Sequence, residues 1–236
     1  MIRVLRFLIR ILLNLIARFE LRGKENVPLT GGMILAANHN GILDIFMVYY
    51  GIDRTDLFIP LAEKFGKIGW IRWFARHLNF LFVDRFNPDL KAIRKMIALM
   101  EEGRCLVIAP EGTRSQTGAL NEGKPGVAYL AARSGFPVIP IAITGTADKA
   151  VIENLKRFRK SHITLTGGKP FIIPPLPNKD RDVALQKYTD EIMCQIAALL
   201  PEQYRGVYAE HPRLKELLSL PTQGGIPAAE DGGLSN

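Results

Sequence analysis

A histidine and an aspartate lie close together in the first fifth of the chain. Four residues separate His39 from Asp44, and one of them is the flexible Gly41, so the two side chains can meet. Histidine is the natural general base near neutral pH, and a carboxylate on its second ring nitrogen fixes the tautomer and stabilises the imidazolium. The spacing therefore predicts a proton-abstracting pair. The alternative is a histidine that caps a helix, with Asp44 in the first turn of that helix.

The flanking residues place this pair at the end of a strand. Met33 to Ala37 is a short apolar run introduced by two glycines, which is typical of a buried strand. Ile42 to Tyr50 is apolar with helical spacing. Loops at the ends of strands are where rigid folds present catalytic groups. The pair thus lies where catalysis is expected.

Apolar runs alternate with helical patterns along the rest of the chain. The predicted strands are Leu57 to Ala62, Phe80 to Val83, Arg104 to Ala109 and Val138 to Thr144, with one or two edge strands in His162 to Ile173. The predicted helices are Ile68 to His77, Asn87 to Glu102, Gly126 to Ser134, Ala147 to Lys160 and Asp180 to Leu200. This alternation predicts an α/β fold with a mostly parallel central sheet that is flanked by helices on both faces.

The carboxyl ends of parallel strands share one edge of the sheet, where ligands bind. The predicted strand ends bring further charged residues to that edge, namely Lys64, Asp84, Arg85, Glu111 and Arg114. Arginine forks and a lysine point charge suit a phosphate group. Any one of these cations alone is typical of a solvated surface, but their convergence on one edge predicts a phosphate-binding site.

The composition fits one sizeable domain with an anionic partner. The 236 residues are 47% hydrophobic and carry a formal net charge of +8. This charge favours anionic lipid, a phosphorylated substrate or nucleic acid, but the basic residues are not interleaved with aromatics as in a nucleic-acid-binding module. Cys105 and Cys194 lie in apolar runs, which predicts core positions and no disulfide. The four histidines do not cluster at metal-ligand spacing, so no metal site is predicted.

Residues 1–21 form a basic amphipathic segment. Arg3, Arg6, Arg10 and Arg18 recur at helical spacing among apolar residues. They interrupt the segment too often for a transmembrane helix or a signal peptide. We expect an interfacial helix that associates with the membrane, with its arginines at lipid phosphates. The alternative is a helix packed on the core with a basic face toward solvent.

The remainder of the chain divides into a domain and an extension. Residues 22–205 are expected to form the catalytic domain, because they contain the alternating strand and helix patterns. The periodic signal weakens beyond Pro201, so residues 206–236 are expected to be a C-terminal extension. Its last part, Pro221 to Asn236, is rich in Gly, Pro and Ala and is expected to be disordered.

A glycine-rich stretch looks like a nucleotide-binding loop but lacks an essential group. Gly118 to Lys124 matches most of a P-loop, yet Pro125 stands where magnesium needs a Ser or Thr hydroxyl. In addition, no strand runs directly into Gly118. A nucleotide triphosphatase is therefore excluded, while Lys124 stays a candidate phosphate contact.

Four ordered blocks resemble the 1-acylglycerol-3-phosphate acyltransferase family of glycerolipid synthesis. The blocks are Asn38-His39 with Asp44 after four further residues, Phe82-Val83-Asp84-Arg85, the complete Pro110-Glu111-Gly112-Thr113-Arg114-Ser115, and Val138-Ile139-Pro140-Ile141-Ala142. The resemblance covers about residues 23–146 and includes Lys64 after the second strand. The chain departs from the family pattern at Ala109, where Phe is frequent, and at Lys124-Pro125, where Lys-Lys is usual.

The resemblance implies transfer of a fatty acyl group from acyl-CoA or acyl carrier protein to lysophosphatidic acid, which gives phosphatidic acid. His39 would deprotonate the acceptor hydroxyl and Asp44 would orient His39. No cofactor besides the acyl donor is implied. The expected substrate contacts are Lys64, Arg85, Arg114 and Lys124 at the phosphate, Thr113 and the Gly112 backbone N–H as further donors, and Glu111 at the glycerol hydroxyl or beside the arginines.

The sequence leaves other acceptors and other classes of function open. A lysophospholipid, glycerol-3-phosphate or an ornithine lipid could replace lysophosphatidic acid, and water at the His39 site would make the protein a thioesterase. A catalytically idle membrane-binding module would not need His39, Asp44, Glu111 and Arg114 together. Because the substrates lie in the bilayer, the expected location is peripheral or monotopic on the cytoplasmic face of the cell membrane.

Overall fold

A sheet of seven strands forms the centre of the computed structural model, which describes residues 2–83 and 90–220. The strands are β1 (Ala17–Arg22), β2 (Met33–Ala37), β3 (Leu57–Ala62), β4 (Phe80–Val83), β5 (Cys105–Ile108), β6 (Val138–Thr144) and β7 (Ser161–Gly167). Their order across the sheet is β1-β7-β6-β2-β5-β3-β4. Within these residues all neighbouring strands are parallel except β6 and β7. The predicted α/β fold with a mostly parallel sheet is confirmed.

Helices cover both faces of this sheet. They are α1 (Ile2–Ile16), α2 (Leu43–Gly51), α3 (Gly69–His77), α4 (Leu90–Glu101), α5 (Gly126–Ser134), α6 (Asp148–Lys156), α7 (Arg181–Ala198) and α8 (Pro212–Ser219). Alternate residues of β2 point to opposite faces: Ile34 and Ala36 join the cluster formed with α4, α5, α7 and α8. Met33, Leu35 and Ala37 join the cluster formed with α2. Two cores on one buried sheet explain the continuous apolar strands.

The N-terminal helix is shorter than the predicted 21 residues. It ends at Ile16, and Ala17–Arg22 forms β1, which pairs in parallel with β7 at one edge of the sheet. Polar and apolar residues alternate in β1, and this period of two suits a strand once a partner is present. β7 was expected to be an edge strand. In the structure β1 occupies that edge, and β7 lies between β1 and β6.

Arg6 and Arg10 of α1 point toward the domain, which corrects their expected place at lipid phosphates. Arg6 is buried and donates to the carbonyl oxygens of Ile52 and Arg54, each at 2.5 Å. Arg10 donates to the carbonyl oxygen of Tyr50 at 3.0 Å. These carbonyls lie in the last turn of α2 or just after it and attract guanidinium groups. The large apolar side chains left exposed on α1 are Val4, Phe7, Leu8, Ile11, Leu12 and Leu15.

The C-terminal boundary also differs from the prediction. Beyond residue 205 the chain forms a 3₁₀ turn and α8, and both pack on the core through Tyr208 and Leu214, which are 3% and 0% exposed. Residues 206–220 therefore belong to the domain and are not an extension. Their contacts are with distant segments such as Gly123, whose N–H donates to the Tyr208 hydroxyl at 2.9 Å. The expected disorder of Pro221 to Asn236 concerns residues outside the described ranges.

Candidate active site

The loop after β2 is fixed to β6 by two asparagine side chains. The Asn38 amide pairs with the Ile143 backbone, donating to its carbonyl oxygen at 2.8 Å and accepting from its N–H at 2.7 Å. The Asn40 amide donates to the same carbonyl at 3.1 Å. Both asparagines are buried, so these bonds form away from competing water. His39 is thus held between two anchored residues.

One carboxylate oxygen of Asp44 organises the loop. Its Oδ2 contacts His39 Nδ1 at 2.8 Å and accepts the backbone N–H groups of Asn40 and Gly41 at 2.6 Å and 2.8 Å. An ionised carboxylate only accepts hydrogen bonds, so Nδ1 carries the proton and Nε2 is the basic nitrogen. The helix that follows has Ile42 at its N-cap with no side-chain cap, so His39 does not cap it.

A close approach of two backbones requires glycine at position 41. A Cβ on Gly41 would lie 2.1 Å from the carbonyl oxygen of Thr146 and 2.8 Å from a carboxylate oxygen of Asp148. Such distances are far inside van der Waals contact, so no other residue fits without movement of the loop. The histidine loop is therefore packed directly against the segment that leads from β6 into α6.

Glu111 is a buried positioning residue. It is 1% exposed, and its two carboxylate oxygens accept the backbone N–H groups of His39 and Asn121, both at 2.9 Å. Burial raises the pKa of Glu111 above its ordinary value. Both oxygens are engaged inside the protein, and this corrects the expectation that Glu111 binds the glycerol hydroxyl or orders the arginines.

Ser115 closes the same loop from the other side. Its backbone N–H donates to the His39 carbonyl at 2.7 Å. Its hydroxyl donates to the Ala119 carbonyl at 2.7 Å and accepts the Gly118 N–H at 3.0 Å. His39 is therefore held at its N–H by Glu111 and at its carbonyl by Ser115.

Asp148, which the sequence patterns did not single out, links Arg114 to the histidine loop. Its Nη1 donates to Asp148 Oδ2 at 2.7 Å, and Asp148 Oδ1 accepts the Ile42 N–H at 2.8 Å. The Arg114 side chain is 49% exposed, and a guanidinium has five N–H donors. The pair with Asp148 therefore orients Arg114 and leaves donors for a substrate anion. Asp148 follows the end of β6, so the rule that located the other strand-end residues points to it as well.

The segments around Gly112 and Lys124 are in contact. A Cβ on Gly112 would lie 3.0 Å from Cδ and 3.5 Å from Nζ of Lys124, so the lysine chain runs over this glycine. The Lys124 backbone N–H donates to the Pro110 carbonyl at 2.8 Å. The Gly112 N–H donates to the Ala109 carbonyl at 3.1 Å, so it serves the turn and not, as expected, a phosphate. Thr113 is exposed on the same turn.

Of the remaining two predicted cations, the structure describes Lys64, which stands apart from this network. Lys64 is exposed in the 3₁₀ turn after β3, and its ammonium lies 5.4 Å from the centre of the Phe65 ring. β3 is separated from β2 by β5, so Lys64 is on the same edge of the sheet but two strands away. Arg85 lies outside the described residues.

The arrangement can abstract a proton beside a cationic surface. His39 is partly exposed with Nε2 as its basic nitrogen, while Arg114 and Lys124 supply positive charge on the adjoining loops. Cys105 and Cys194 are buried, as predicted, and burial raises the pKa of each thiol to about 12. Neither is therefore a nucleophile. In the ranges 2–83 and 90–220 no three His, Cys, Asp or Glu side chains come together as they would to hold a metal ion.

Comparisons with known proteins identify relatives of this chain. The chain is 27% identical to a 1-acyl-sn-glycerol-3-phosphate acyltransferase of Bacillus subtilis over 75% of its own length and 87% of the relative. It is 30% identical to such an enzyme of Chlamydomonas reinhardtii over 80% of its length, but spans only 54% of that protein. The crystal structure of the LPA acyltransferase PlsC from Thermotoga maritima has the same fold, with a TM-score of 0.63 and 24% identity over 94% of this chain and 81% of that one. The Acyltransferase family profile matches residues 18–144, more than half of the chain, which therefore belongs to the acyltransferase family.

Proposed function

We propose that the protein transfers a fatty acyl group from acyl-CoA or acyl carrier protein to the free hydroxyl of lysophosphatidic acid, giving phosphatidic acid for phospholipid synthesis. The observation that carries the proposal is the contact of His39 Nδ1 with Asp44 Oδ2 at 2.8 Å, beside the cationic loops of Arg114 and Lys124. The names of the relatives from Bacillus subtilis and Chlamydomonas reinhardtii support the choice of acceptor.

In the proposed reaction, His39 acts as general base and then as general acid. Nε2 removes the proton of the acceptor hydroxyl while the hydroxyl oxygen attacks the thioester carbonyl carbon. The carbon–sulfur bond breaks, and the imidazolium returns the proton to the departing thiolate. The Asp44 carboxylate stabilises the imidazolium between these steps. No acyl-enzyme forms, which agrees with the burial of both cysteine thiols. The proposed reaction uses no cofactor beyond the acyl donor.

The acceptor phosphate would lie over the loops that carry Arg114 and Lys124. The guanidinium of Arg114 is oriented by Asp148, so it is pre-organised for a phosphate oxygen. The Thr113 hydroxyl lies on the same exposed turn and can add a hydrogen bond. Lys64 and Arg85 would extend the positive field along the edge of the sheet, and we expect smaller contributions from them.

The outward face of α1 is the proposed membrane contact. Its exposed apolar side chains include Phe7, Leu8 and Leu12, which are 62%, 54% and 61% exposed. Within residues 2–83 and 90–220 no helix has the length and apolar character that crossing a bilayer needs. We propose that α1 lies in the interface with this face in the acyl boundary, as a peripheral or monotopic anchor on the cytoplasmic face of the membrane.

Thiol release from oleoyl-CoA by the purified full chain in detergent tests the proposed reaction. The assay is run with and without lysophosphatidic acid, on the wild type and on His39→Ala. His162→Ala is the matched control, because that imidazole is 68% exposed and lies in β7. We expect release that depends on lysophosphatidic acid, a loss of about a hundredfold or more in His39→Ala, and no change in the control.

The other outcomes separate the alternatives. Release without an acceptor would identify a thioesterase, and release that needs a lysophospholipid, glycerol-3-phosphate or an ornithine lipid would move the protein to another acceptor class. Near-normal turnover of His39→Ala would refute the general-base mechanism. If oleoyl-CoA is not cleaved with any acceptor, the same assay with acyl carrier protein donors decides whether the protein is an acyltransferase.

A further inference from the structure

The segment between β6 and β7 extends beyond the sheet at the edge that carries the histidine loop. β7 is antiparallel to β6, with Thr144 opposite Thr164. Residues 145–160, which contain α6, therefore leave and re-enter the sheet at the same edge. β6 is parallel to β2, so this is the edge at which β2 ends. β1 is parallel to β7, with Ala17 opposite Ser161, so the end of α1 lies there as well.

α6 and the turn after it expose an apolar face. Ile152, Leu155 and Phe158 recur every three residues and are 52%, 56% and 99% exposed. No residue of α6 is buried. Phe158 also has a φ of 54°, a left-handed conformation that is unfavourable for a residue with a bulky side chain. An aromatic ring held in solvent on such a backbone indicates a surface that meets an apolar partner.

The charges around this face are complementary to an anionic surface. Five of the twelve residues from 149 to 160 are cations, namely Lys149, Lys156, Arg157, Arg159 and Lys160. Glu153 is the one acid among them, and it is paired with Arg157 at 2.9 Å. Basic residues that flank an exposed apolar face are typical of elements that lie on anionic lipid.

Both ends of this segment are tied to parts of the molecule with a proposed role. Asp148, the first residue of α6, binds Arg114 and the Ile42 N–H beside the catalytic loop. At the other end, Lys160 Nζ donates to the Asn14 carbonyl of α1 at 2.6 Å. The segment thus joins the catalytic edge to the helix that we propose as the membrane anchor. It also lies beyond residues 18–144, which the family profile matches.

We propose that Ile152, Leu155 and Phe158, with the flanking cations, form a second membrane-contact surface that seats the histidine site against an anionic bilayer. The proposal rests on the proposed function, because only a lipid acceptor requires the catalytic edge to face the membrane. An acidic carrier protein would also meet the cations. The exposed apolar residues and the junction with α1 favour the bilayer.

Binding of the full chain to phosphatidylcholine vesicles with and without phosphatidylglycerol tests this proposal. Phe158→Gly removes the ring and places glycine where φ is positive, so the variant should fold at least as stably as the wild type. Val183→Ser in α7 is the matched control, because Val183 is 71% exposed and α7 packs on the face of the sheet opposite to α1 and α2. The double variant Leu8→Ser with Leu12→Ser tests α1 separately.

We expect the partition coefficient on phosphatidylglycerol vesicles to fall about tenfold in Phe158→Gly and not in Val183→Ser. Thiol release from substrates dispersed in detergent should stay unchanged in Phe158→Gly, because Phe158 follows the end of α6 that is away from Asp148. Wild-type binding by Phe158→Gly together with lost binding by the α1 variant would overturn the second surface and leave the anchor. If Phe158→Gly lost thiol release with acyl carrier protein donors only, the second membrane-contact surface would be overturned, because the residues would then dock the carrier protein. Wild-type binding by both variants would overturn both membrane contacts.

Discussion

The histidine loop and the cationic loops differ sharply in how they are held. His39 is bonded at its N–H, its carbonyl and its ring nitrogen by Glu111, Ser115 and Asp44. Arg114 and Lys124 are exposed side chains, and one fixed ion pair orients Arg114. The proton-transfer group is thus positioned by buried hydrogen bonds, while the phosphate contacts lie on the surface.

The difference follows from what each group has to do. A general base must meet its proton within hydrogen-bond reach, so misplacement by an ångström costs rate. Cations that hold a phosphate act over longer distances and tolerate movement. We therefore expect changes in the histidine loop to lower kcat, and changes in the cationic loops to raise the KM for the acceptor.

We expect the largest fall in kcat from Asp44→Asn, a change in the histidine loop. Two backbone N–H groups point at the position of Oδ2, so the amide oxygen of Asn should take that place and keep the His39 tautomer. The substitution then removes the charge, and the amide nitrogen takes the place of the buried Oδ1. We expect kcat to fall about a hundredfold with little change in the acceptor KM, measured by thiol release. A kcat within about threefold of wild type, which is about 0.6 kcal/mol in the barrier, would show that the carboxylate charge is not used.

Glu111→Gln should have the next largest effect on turnover. A glutamine offers one acceptor where two backbone N–H groups need one each, so the tie to His39 or to Asn121 is lost. We expect kcat to fall about thirtyfold, because the His39 loop loses its alignment. An effect on the acceptor KM alone would instead place Glu111 at the substrate.

The same variant also tests the protonation of the buried carboxyl. Burial raises the folded-state pKa of Glu111 above 4.5, so folding favours the protonated form. The stability that this group contributes is then fully present below the unfolded-state pKa and is lost as the pH rises through the folded-state pKa. Urea unfolding at a series of pH values should show the wild type losing stability relative to Glu111→Gln as the pH rises from 4.5. A difference that is constant or grows with pH would contradict this assignment.

Arg114→Ala should raise the apparent KM for lysophosphatidic acid about tenfold, with a smaller change in kcat. The physical reason is the loss of a charge-assisted contact to the phosphate. Arg133→Ala is the control, because Arg133 is an exposed arginine of α5. A fall in kcat at unchanged KM would mean that Arg114 acts through Asp148 on the histidine loop and not on the substrate.

The smallest effect is expected from Lys64→Ala. Lys64 is exposed and two strands from the histidine loop, so screened charge is all that it can contribute. We expect the acceptor KM to rise about threefold at low ionic strength and the effect to vanish in high salt. Lys67→Ala, in the same turn, is the matched control. A tenfold effect that persists in salt would instead indicate direct contact with the phosphate.

Much of the fold could be predicted because its signals are local. Hydrophobic periodicity located six of the seven strands and most helices, and α5 and β6 begin and end at the predicted residues. The strand-end rule located His39, Asp44 and Arg114 on one edge of the sheet. β1 was missed because its pairing partner β7 lies more than a hundred residues further along the chain. Inside an amphipathic run, six residues of alternating polarity do not reveal such a partner.

The sequence by itself determined the fold class, the order of the elements and the residue types at the site, since these depend on short patterns. The tertiary structure decided which atoms those residues bind. It turned Arg6 toward the carbonyls after α2, buried Glu111 against the His39 backbone and placed Asp148 beside Arg114. These partners are far apart in the chain, and a buried polar group binds whichever partner the packing brings to it.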